Sequence, residues 1–281
     1  MAPLLEVREV SFKYPQALIL NRISFSIDPG EVFCLLGPNG CGKTTLLDCI
    51  LGWLKPYEGQ VLINGSPISR MSAPQIARQV AYVPQMHQKT FPYLVRDIVL
   101  MGRASFIGPF DVPSEEDVAI AEKALDMVGI SRLKDRPYTQ LSGGEGQLVM
   151  VARALAQNSP VIVMDEPTAH LDYGHELVIL ETVVELVKQT GLAVLMATHV
   201  PNHVYYFENQ GVKPRAALLK NTQITSLGKP SEVLSEQNLG ELYNIRTRII
   251  NCALDDGGQL KQIVPISTIN TNKGGNSLEN I

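Results

Sequence analysis

The strongest chemical signal in this sequence is a run that matches the pattern G-x-x-x-x-G-K-[ST] and one further threonine. Its residues are Gly37, Pro38, Asn39, Gly40, Cys41, Gly42, Lys43, Thr44 and Thr45. Glycines let the backbone curl so that successive N–H groups point at one anion, and a helix start adds the positive end of its dipole. Lys43 can reach phosphate oxygens, and the Thr44 hydroxyl can ligate Mg²⁺. We expect a site for a nucleoside triphosphate.

The flanking segments place this loop between a strand and a helix. The apolar run 32–36 is typical of a strand buried on both faces. Leucines and isoleucines then recur at helical spacing from Leu46 to Leu54. A glycine-rich turn that matches by chance is the alternative, and the strand and helix on either side argue against it.

Two adjacent acids follow a second buried strand. The segment 161–164 is apolar, and Asp165 and Glu166 come directly after it, before Pro167. Ligands of open α/β sheets bind at this end of the strands. Neighbouring acids face different ways, so Asp165 can serve the Mg²⁺ shell while Glu166 activates a water as general base. Plain turn formation is the alternative.

Two more polar side chains come after predicted strands. Gln85 follows the strand at 80–83, and His199 follows the strand at 192–197. A neutral amide can ligate Mg²⁺ or orient a water, and a histidine can bond a γ-phosphate. An exposed loop glutamine and a satisfied core histidine are the alternatives, and spacing alone does not exclude them.

A second glycine-rich helix start lies at 141–145. Ser142 is a natural N-cap, and Gly143 and Gly144 leave N–H groups accessible to an anion before Glu145. If the helical lobe projects outward, this end cannot reach the phosphate held by Lys43 of its own chain. We therefore expect it to face a partner's nucleotide, with an ordinary capped helix as the alternative.

Two isolated residues have weaker interpretations. Tyr14 lies between the first two predicted strands and could stack on a purine, although a lone tyrosine is more often a packing residue. Asp172 precedes a helix, so it can be a simple N-cap.

Composition narrows the class of protein. The chain has 281 residues, 45% of them hydrophobic, and a net charge of −4, which gives no reason to expect nucleic-acid binding. It has no apolar run long enough to cross a bilayer and no signal peptide, so we expect it in the cytoplasm.

The cysteines of the sequence have no metal-ligand spacing and are expected as reduced thiols: Cys34, Cys41, Cys49 and Cys252.

Taken together, these motifs resemble the ATP-binding subunits of ABC transporters over about residues 3 to 245. The Leu-Ser-Gly-Gly string between the two nucleotide motifs is the most specific part. The resemblance implies an α/β fold: a P-loop nucleotide hydrolase core with a mainly parallel sheet, an N-terminal antiparallel β subdomain and an inserted helical subdomain. The implied ATPase domain is 1–245, with the core at 1–86 and 157–245 and the helical subdomain at 87–156. An extension at 246–281 follows, with a frayed tail from about 270.

The resemblance also implies a role for each site residue. Tyr14 resembles the aromatic residue that stacks on adenine. Gln85 resembles the glutamine that senses Mg²⁺ and contacts the membrane subunits. Asp165 would hold Mg²⁺ through water, Glu166 would be the catalytic carboxylate, and His199 would hold the γ-phosphate.

The remaining implied roles concern a second copy of the chain. Residues 142–145 resemble the signature that closes on the partner's ATP, and Asp172 resembles the residue that bridges the dimer. Two departures from the family pattern lie nearby: Gly146 and Leu148 follow the signature where larger or basic side chains are common. After His199, Val200 and Pro201 replace a common aspartate.

Within the family, the strings 39–43, 97–103, 168–172 and 199–203 resemble the branch that serves importers of metal chelates: iron siderophores, haem, cobalamin or molybdate. The implied partners are ATP, a second copy in a head-to-tail dimer, two integral membrane permease subunits and, indirectly, a cargo-binding protein. The chain would lie peripherally on the inner face of the membrane.

Two rival functions were weighed. A soluble ABC ATPase acting on nucleic acid or ribosomes usually has two cassettes, zinc motifs or a long coiled coil, and none is visible in this sequence. A non-enzymatic scaffold of similar fold would be expected to lack one of Lys43, Glu166 or His199, and all are present.

Overall fold

The structure is a computed structural model, and it describes residues 2–85, 90–108, 110–253 and 259–269. The tail predicted from about residue 270 lies outside the described residues. In the described part, no helix has the length and apolar character that crossing a membrane requires. Cys34, Cys41, Cys49 and Cys252 are free thiols, as the sequence predicts.

The N-terminal strands form an antiparallel sheet of order β2-β1-β4-β5, as predicted. The strands are β1 (Leu5–Tyr14), β2 (Ala17–Ile27), β4 (Glu58–Ile63) and β5 (Ser66–Pro67). The first two are longer than the sequence indicates, because register shifts and positive φ angles at Glu9 (51°) and Arg22 (52°) interrupt the alternation without ending the strands. Tyr14 therefore ends β1 instead of lying in a loop between strands.

The main sheet has the order β10-β9-β3-β8-β7-β6. Its strands are β3 (Val32–Leu36), β6 (Val80–Val83), β7 (Val161–Asp165), β8 (Ala193–Thr198), β9 (Arg215–Lys220) and β10 (Gln223–Gly228). All neighbours pair in parallel except β9 with β10, which form the predicted edge hairpin. The carboxyl ends of β3, β6, β7 and β8 therefore meet at one edge of the sheet.

The α-helices of the described chain lie between or after these strands. They are α1 (Lys43–Ile50), α2 (Ala73–Ala77), α3 (Val95–Leu100), α4 (Glu115–Met127), α5 (Gly143–Ala156), α6 (Tyr173–Thr190), α7 (Asn202–Asn209), α8 (Pro230–Val233) and α9 (Glu236–Tyr243). Ser114 caps α4, and Gly191 ends α6 in the left-handed region.

Apolar side chains fill both faces of the main sheet. Along β3, Val32, Cys34 and Leu36 pack in a cluster with α5 and α6, while Phe33 and Leu35 pack with α1 and the antiparallel sheet. Because consecutive side chains of a strand point to opposite faces, an unbroken apolar run is what two covered faces require. The core strand that precedes the phosphate loop is thus fixed from both sides.

The predicted helical subdomain contains α3, α4 and α5, which pack on one another. A buried ion pair links its parts, because Arg103 Nε donates to Asp117 Oδ1 at 2.9 Å and Arg103 Nη1 donates to Ala156 O at 3.1 Å. The domain boundaries themselves stay a prediction.

The segment after α9 forms an antiparallel hairpin of β11 (Ile245–Ala253) and β12 (Gln259–Thr268). Two asparagines of α7 hold it by paired bonds to its backbone. Asn202 bonds the N–H and C=O of Ile263 (2.8 and 3.1 Å), and Asn209 bonds those of Lys261 (both 3.4 Å). No sequence pattern predicts this hairpin.

Candidate functional site

The phosphate loop joins β3 to α1 and depends on its glycines at defined points. Gly40 and Gly42 have φ angles of 78° and 106°, which side chains rarely tolerate. Gly37 is buried, and a methyl group added there would lie 2.6 Å from Leu219 O. Since Gly42 is also the N-cap of α1, no side chain covers the first N–H groups of that helix, and they are available to an anion.

Lys43 begins α1 and lies under this loop. Its ammonium donates to Gly37 O at 2.8 Å and Pro38 O at 3.2 Å, and it is 3.1 Å from Glu166 Oε1. Only 5% of the residue is exposed. A triphosphate that binds Lys43 must therefore compete with Glu166 for the same ammonium.

Thr44 and Asp165 lie together at the same edge of the sheet. Thr44 Oγ1 donates to Asp165 Oδ2 at 2.8 Å, which brings the end of β7 against the first turn of α1. Burial raises the pKa of Asp165, and the hydrogen bond from Thr44 partly offsets that effect.

These oxygens fit Mg²⁺. A hydroxyl and a carboxylate oxygen are hard ligands of the kind that the ion prefers. Mg²⁺ is usually held by one or two protein oxygens together with phosphates and waters, so this sparse set of ligands is what a nucleotide-bound Mg²⁺ requires.

Glu166 is the residue on which the other predicted groups converge. Its backbone has a φ of 44°, and its N–H donates to Ala197 O at 2.9 Å. Its Oε2 lies 3.0 Å from His199 Nδ1 and accepts from Gln85 Nε2 at 3.4 Å. Gln85, Glu166 and His199 follow the neighbouring strands β6, β7 and β8. Parallel pairing therefore brings together side chains that lie far apart in sequence.

The second glycine-rich helix start belongs to α5. Ser142 and Glu145 form a reciprocal capping box, in which Ser142 Oγ accepts from Glu145 N at 3.2 Å and Glu145 Oε2 accepts from Ser142 N at 3.0 Å. The N–H of Ser142 lowers the pKa of Glu145. Ser142 and Gly143 are exposed, whereas Gly144 is buried.

Gly144 is buried against a residue that the sequence analysis did not identify. A methyl group added to Gly144 would lie 2.0 Å from His175 Cδ2 and 2.8 Å from His175 Cβ. His175 Nδ1 lies 2.9 Å from both carboxylate oxygens of Asp172. Asp172 also caps α6 by accepting from His175 N at 2.9 Å, which lowers its pKa, so the simple N-cap interpretation is correct for its local contacts.

Gln147 connects α5 to the segment that carries Gln85. Its Nε2 donates to Pro84 O at 3.0 Å, next to Gln85. The start of α5 is therefore tied to the residue that contacts Glu166.

Tyr14 takes no part in the contacts around Glu166. Its ring is 45% exposed and packs edge-on against Phe12 with the ring centroids 5.0 Å apart. An exposed aromatic face can still accept a purine, and the stacking role stays a prediction.

Sequence reasoning missed two further residues beside the site. Tyr243, at the end of α9, has a buried hydroxyl beside the backbone of Gly37, and burial raises its pKa. His203 is 2% exposed and lies behind the loop that carries His199. His203 belongs to the string 199–203 that resembles the importer branch. Neither residue has a local signal for a place beside the site, because α9 and α7 reach the site only through tertiary packing.

Comparisons with known proteins agree with this geometry. The family model described as ABC transporter matches residues 20–169. The molybdate import ATP-binding protein MolC of Haemophilus influenzae is 33% identical over 242 residues, covering 86% of this chain and 88% of that protein. The iron(3+)-hydroxamate import ATP-binding protein FhuC of Bacillus subtilis is 33% identical over 246 residues, covering 88% and 90%.

A solved structure shows the same fold. An ABC transporter of metal-chelate type in an inward-facing conformation superimposes with a TM-score of 0.83 at 30% identity, covering 94% of this chain and 98% of that one. The predicted fold class is thereby confirmed.

Proposed function

This chain belongs to the ABC transporter family and is an ATP hydrolase, and we propose that it powers the import of a metal chelate by closing on ATP as a head-to-tail pair of identical chains. The observation that carries the proposal is the contrast between its two glycine-rich helix starts: one lies among its own catalytic residues, and the other faces outward.

Hydrolysis is assigned to the residues around Glu166. Lys43 and the N–H groups at the start of α1 bind the β- and γ-phosphates, which draws the ammonium away from Glu166. The carboxylate then accepts a proton from the attacking water as general base. His199 bonds the γ-phosphate, and Gln85 orients the water.

Mg²⁺ would be held by Thr44 and, through water, by Asp165, with Gln85 beside them. Bound there, it neutralises charge that develops on the phosphate oxygens. Burial of Asp165 makes its carboxylate more costly to ionise, and a cation at this position would offset that cost.

The partner chain supplies the other half of each ATP site. Ser142 and Gly143 are exposed at the start of α5, and Asp172 is exposed at the start of α6. The contact between Gly144 and His175 sets these two helix starts side by side. In a head-to-tail pair, this surface would cover the γ-phosphate held by the other chain's Lys43.

A groove of about 670 Å³ is proposed as the contact with the permease subunits. It is lined mainly by apolar side chains, and Trp53 in its wall is 62% exposed and packs edge-on against Tyr82. The groove reaches Pro84 and Arg153, so a permease segment seated in it would lie next to Gln85. Movement of the nucleotide site would be transmitted to the membrane by this route.

The cargo class follows from the relatives, which include import subunits for molybdate and iron(3+)-hydroxamate. Iron siderophores, haem, cobalamin and molybdate are the proposed candidates, delivered by a cargo-binding protein. This chain would lie on the inner face of the membrane. The relatives favour transport over the nucleic-acid alternative.

The test is reconstitution with the membrane proteins that co-purify with this chain. Vesicles with these proteins, the cargo-binding protein and ATP are offered ferric hydroxamate, haem, cobalamin or molybdate. We expect ATP-dependent accumulation of one of them and a loss of roughly 100-fold or more in rate with Glu166→Gln. Co-purification with nucleic acid and with no membrane protein would contradict the proposal.

A further inference from the structure

A chain of hydrogen bonds runs behind His199 and connects the end of β8 to α6. Val200 N lies 3.1 Å from Thr198 Oγ1, and Thr198 Oγ1 lies 3.0 Å from His203 Nδ1. His203 Nε2 lies 2.6 Å from Glu176 Oε1. Thr198 and His203 are each only 2% exposed. These polar side chains therefore form hydrogen bonds in a part of the core where most buried side chains are apolar.

The hydrogen bonds of this chain use both ring nitrogens of His203. Thr198 Oγ1 accepts from Val200 N, and the same hydroxyl is bonded to His203 Nδ1. His203 Nε2 is bonded to the Glu176 carboxylate, and this hydrogen bond lowers the pKa of Glu176. Each polar group of the chain therefore has a hydrogen-bond partner.

The two ends of this hydrogen-bond chain lie beside predicted site residues. Val200 directly follows His199, whose Nδ1 is 3.0 Å from Glu166 Oε2. Glu176 lies in the first turn of α6, one turn after the cap Asp172. His203 thus joins the loop that carries His199 to the helix start that carries Asp172.

The first turn of α7 is also held by the C-terminal hairpin. Asn202, the residue before His203, forms both of its amide bonds with Ile263 of β12. The start of α7 is therefore held between α6 and the C-terminal hairpin, and its orientation is set by side-chain hydrogen bonds as well as by packing.

We propose that His203 is a positioning residue for ATP hydrolysis: by bridging Thr198 and Glu176, it holds His199 in line with Glu166 and couples it to the start of α6. This inference rests on the role proposed above for His199.

The test compares His203→Leu alone with the same substitution in a His199→Ala background, in the full chain and assayed for ATP hydrolysis with Mg²⁺. His203→Leu removes both hydrogen bonds and keeps an apolar side chain in the site. We expect kcat to fall roughly 10-fold while KM for ATP stays within about 2-fold, because the phosphate loop is untouched. In a His199→Ala background, His203→Leu should lower kcat no further, since its effect acts through His199.

Two additional variants separate positioning from stability. Val204→Ala opens a cavity at the neighbouring buried residue of α7 and should lower Tm without lowering kcat. Glu176→Gln keeps an acceptor for His203 Nε2, whereas Glu176→Leu does not, so the glutamine variant should retain more turnover than the leucine variant.

Several outcomes would overturn the inference. One is an additive loss of kcat in the His199→Ala background, and another is an equal loss of kcat in Val204→Ala. If His199→Ala is impaired while His203→Leu has normal turnover, only this inference fails. If His199→Ala itself keeps full turnover, the role proposed for His199 fails as well.

Discussion

The two helix starts of this chain that are rich in glycine have opposite surroundings. At α1, a glycine occupies the cap, and the first helical residue, Lys43, is 5% exposed and paired with Glu166. At α5, the cap Ser142 is exposed and exchanges hydrogen bonds with Glu145. The first start leaves its N–H groups for a ligand held within the chain, whereas the second satisfies its own cap and turns the adjacent glycine outward.

The difference shows that a glycine-rich helix start is not by itself a complete site. The first one has a lysine, a threonine and two acids brought to it by β3 and β7. The second has His175 and Asp172 beside it and an open face in front. Each start has residues that the other lacks, which is the physical argument for the head-to-tail pair that we propose.

The largest expected effect is on the first helix start. Lys43→Ala should weaken ATP binding roughly 10- to 100-fold, because a hydrogen bond to a charged phosphate contributes about 1.5–3 kcal/mol. Titration calorimetry with ATP and Mg²⁺ measures it. Lys188→Ala, at the exposed far end of α6, is the matched control and should bind ATP normally. Unchanged affinity in Lys43→Ala would remove the distinction between the two starts.

An intermediate effect is expected at the second helix start. Gly144→Ala should leave ATP binding to a single chain intact and weaken ATP-dependent dimers roughly 10-fold, because the added methyl group must displace His175 and with it Asp172. The measurement is size-exclusion chromatography with ATP, in a Glu166→Gln background that retains the nucleotide.

A His175→Ala background makes this prediction sharper. With the imidazole removed, the methyl group at position 144 has room, so the additional loss from Gly144→Ala should shrink. An undiminished loss would mean that the glycine serves the nucleotide directly instead of the contact with α6.

The smallest expected effect concerns the capping box. The pKa of Glu145 is lowered in the folded chain, so its charge contributes stability above the ordinary carboxyl pKa of about 4.5, and this contribution is lost as the pH falls through the lower folded value. Glu145→Gln should therefore be less stable than the parent by a few tenths of a kcal/mol near pH 7. The gap should close below about pH 4.5.

Urea unfolding at several pH values measures this gap, with Glu185→Gln on the exposed face of α6 as the control. A gap that widens in acid would mean that the carboxylate does not stabilise the start of α5.

Much of the site was predictable because its signals are local. The loop 37–45 needs glycines at fixed offsets, and Asp165 and Glu166 need only follow an apolar strand. Patterns of this kind repeat over a few residues and depend on backbone geometry, so they can be read without knowing the fold. The caps at Ser114, Ser142 and Asp172 are predictable for the same reason.

The remaining site residues have no local signal. His175 lies against Gly144, His203 bridges Thr198 and Glu176, and the Tyr243 hydroxyl is buried near the phosphate loop. Each is an ordinary helical residue in sequence. The C-terminal hairpin is a further case, because two asparagines of α7 bond its backbone and their spacing predicts nothing by itself.

By itself, the sequence determined the buried core strands β3, β7 and β8, the loop whose glycines suit a phosphate, and the acids that end a core strand. Only the tertiary structure decided that Gln85, Glu166 and His199 converge, because that depends on the strand order β8-β7-β6. It also decided which helix start is enclosed and which faces outward. The physical reason is that backbone conformation is set over a few residues, whereas convergence and burial are set by packing between segments that are distant in the chain.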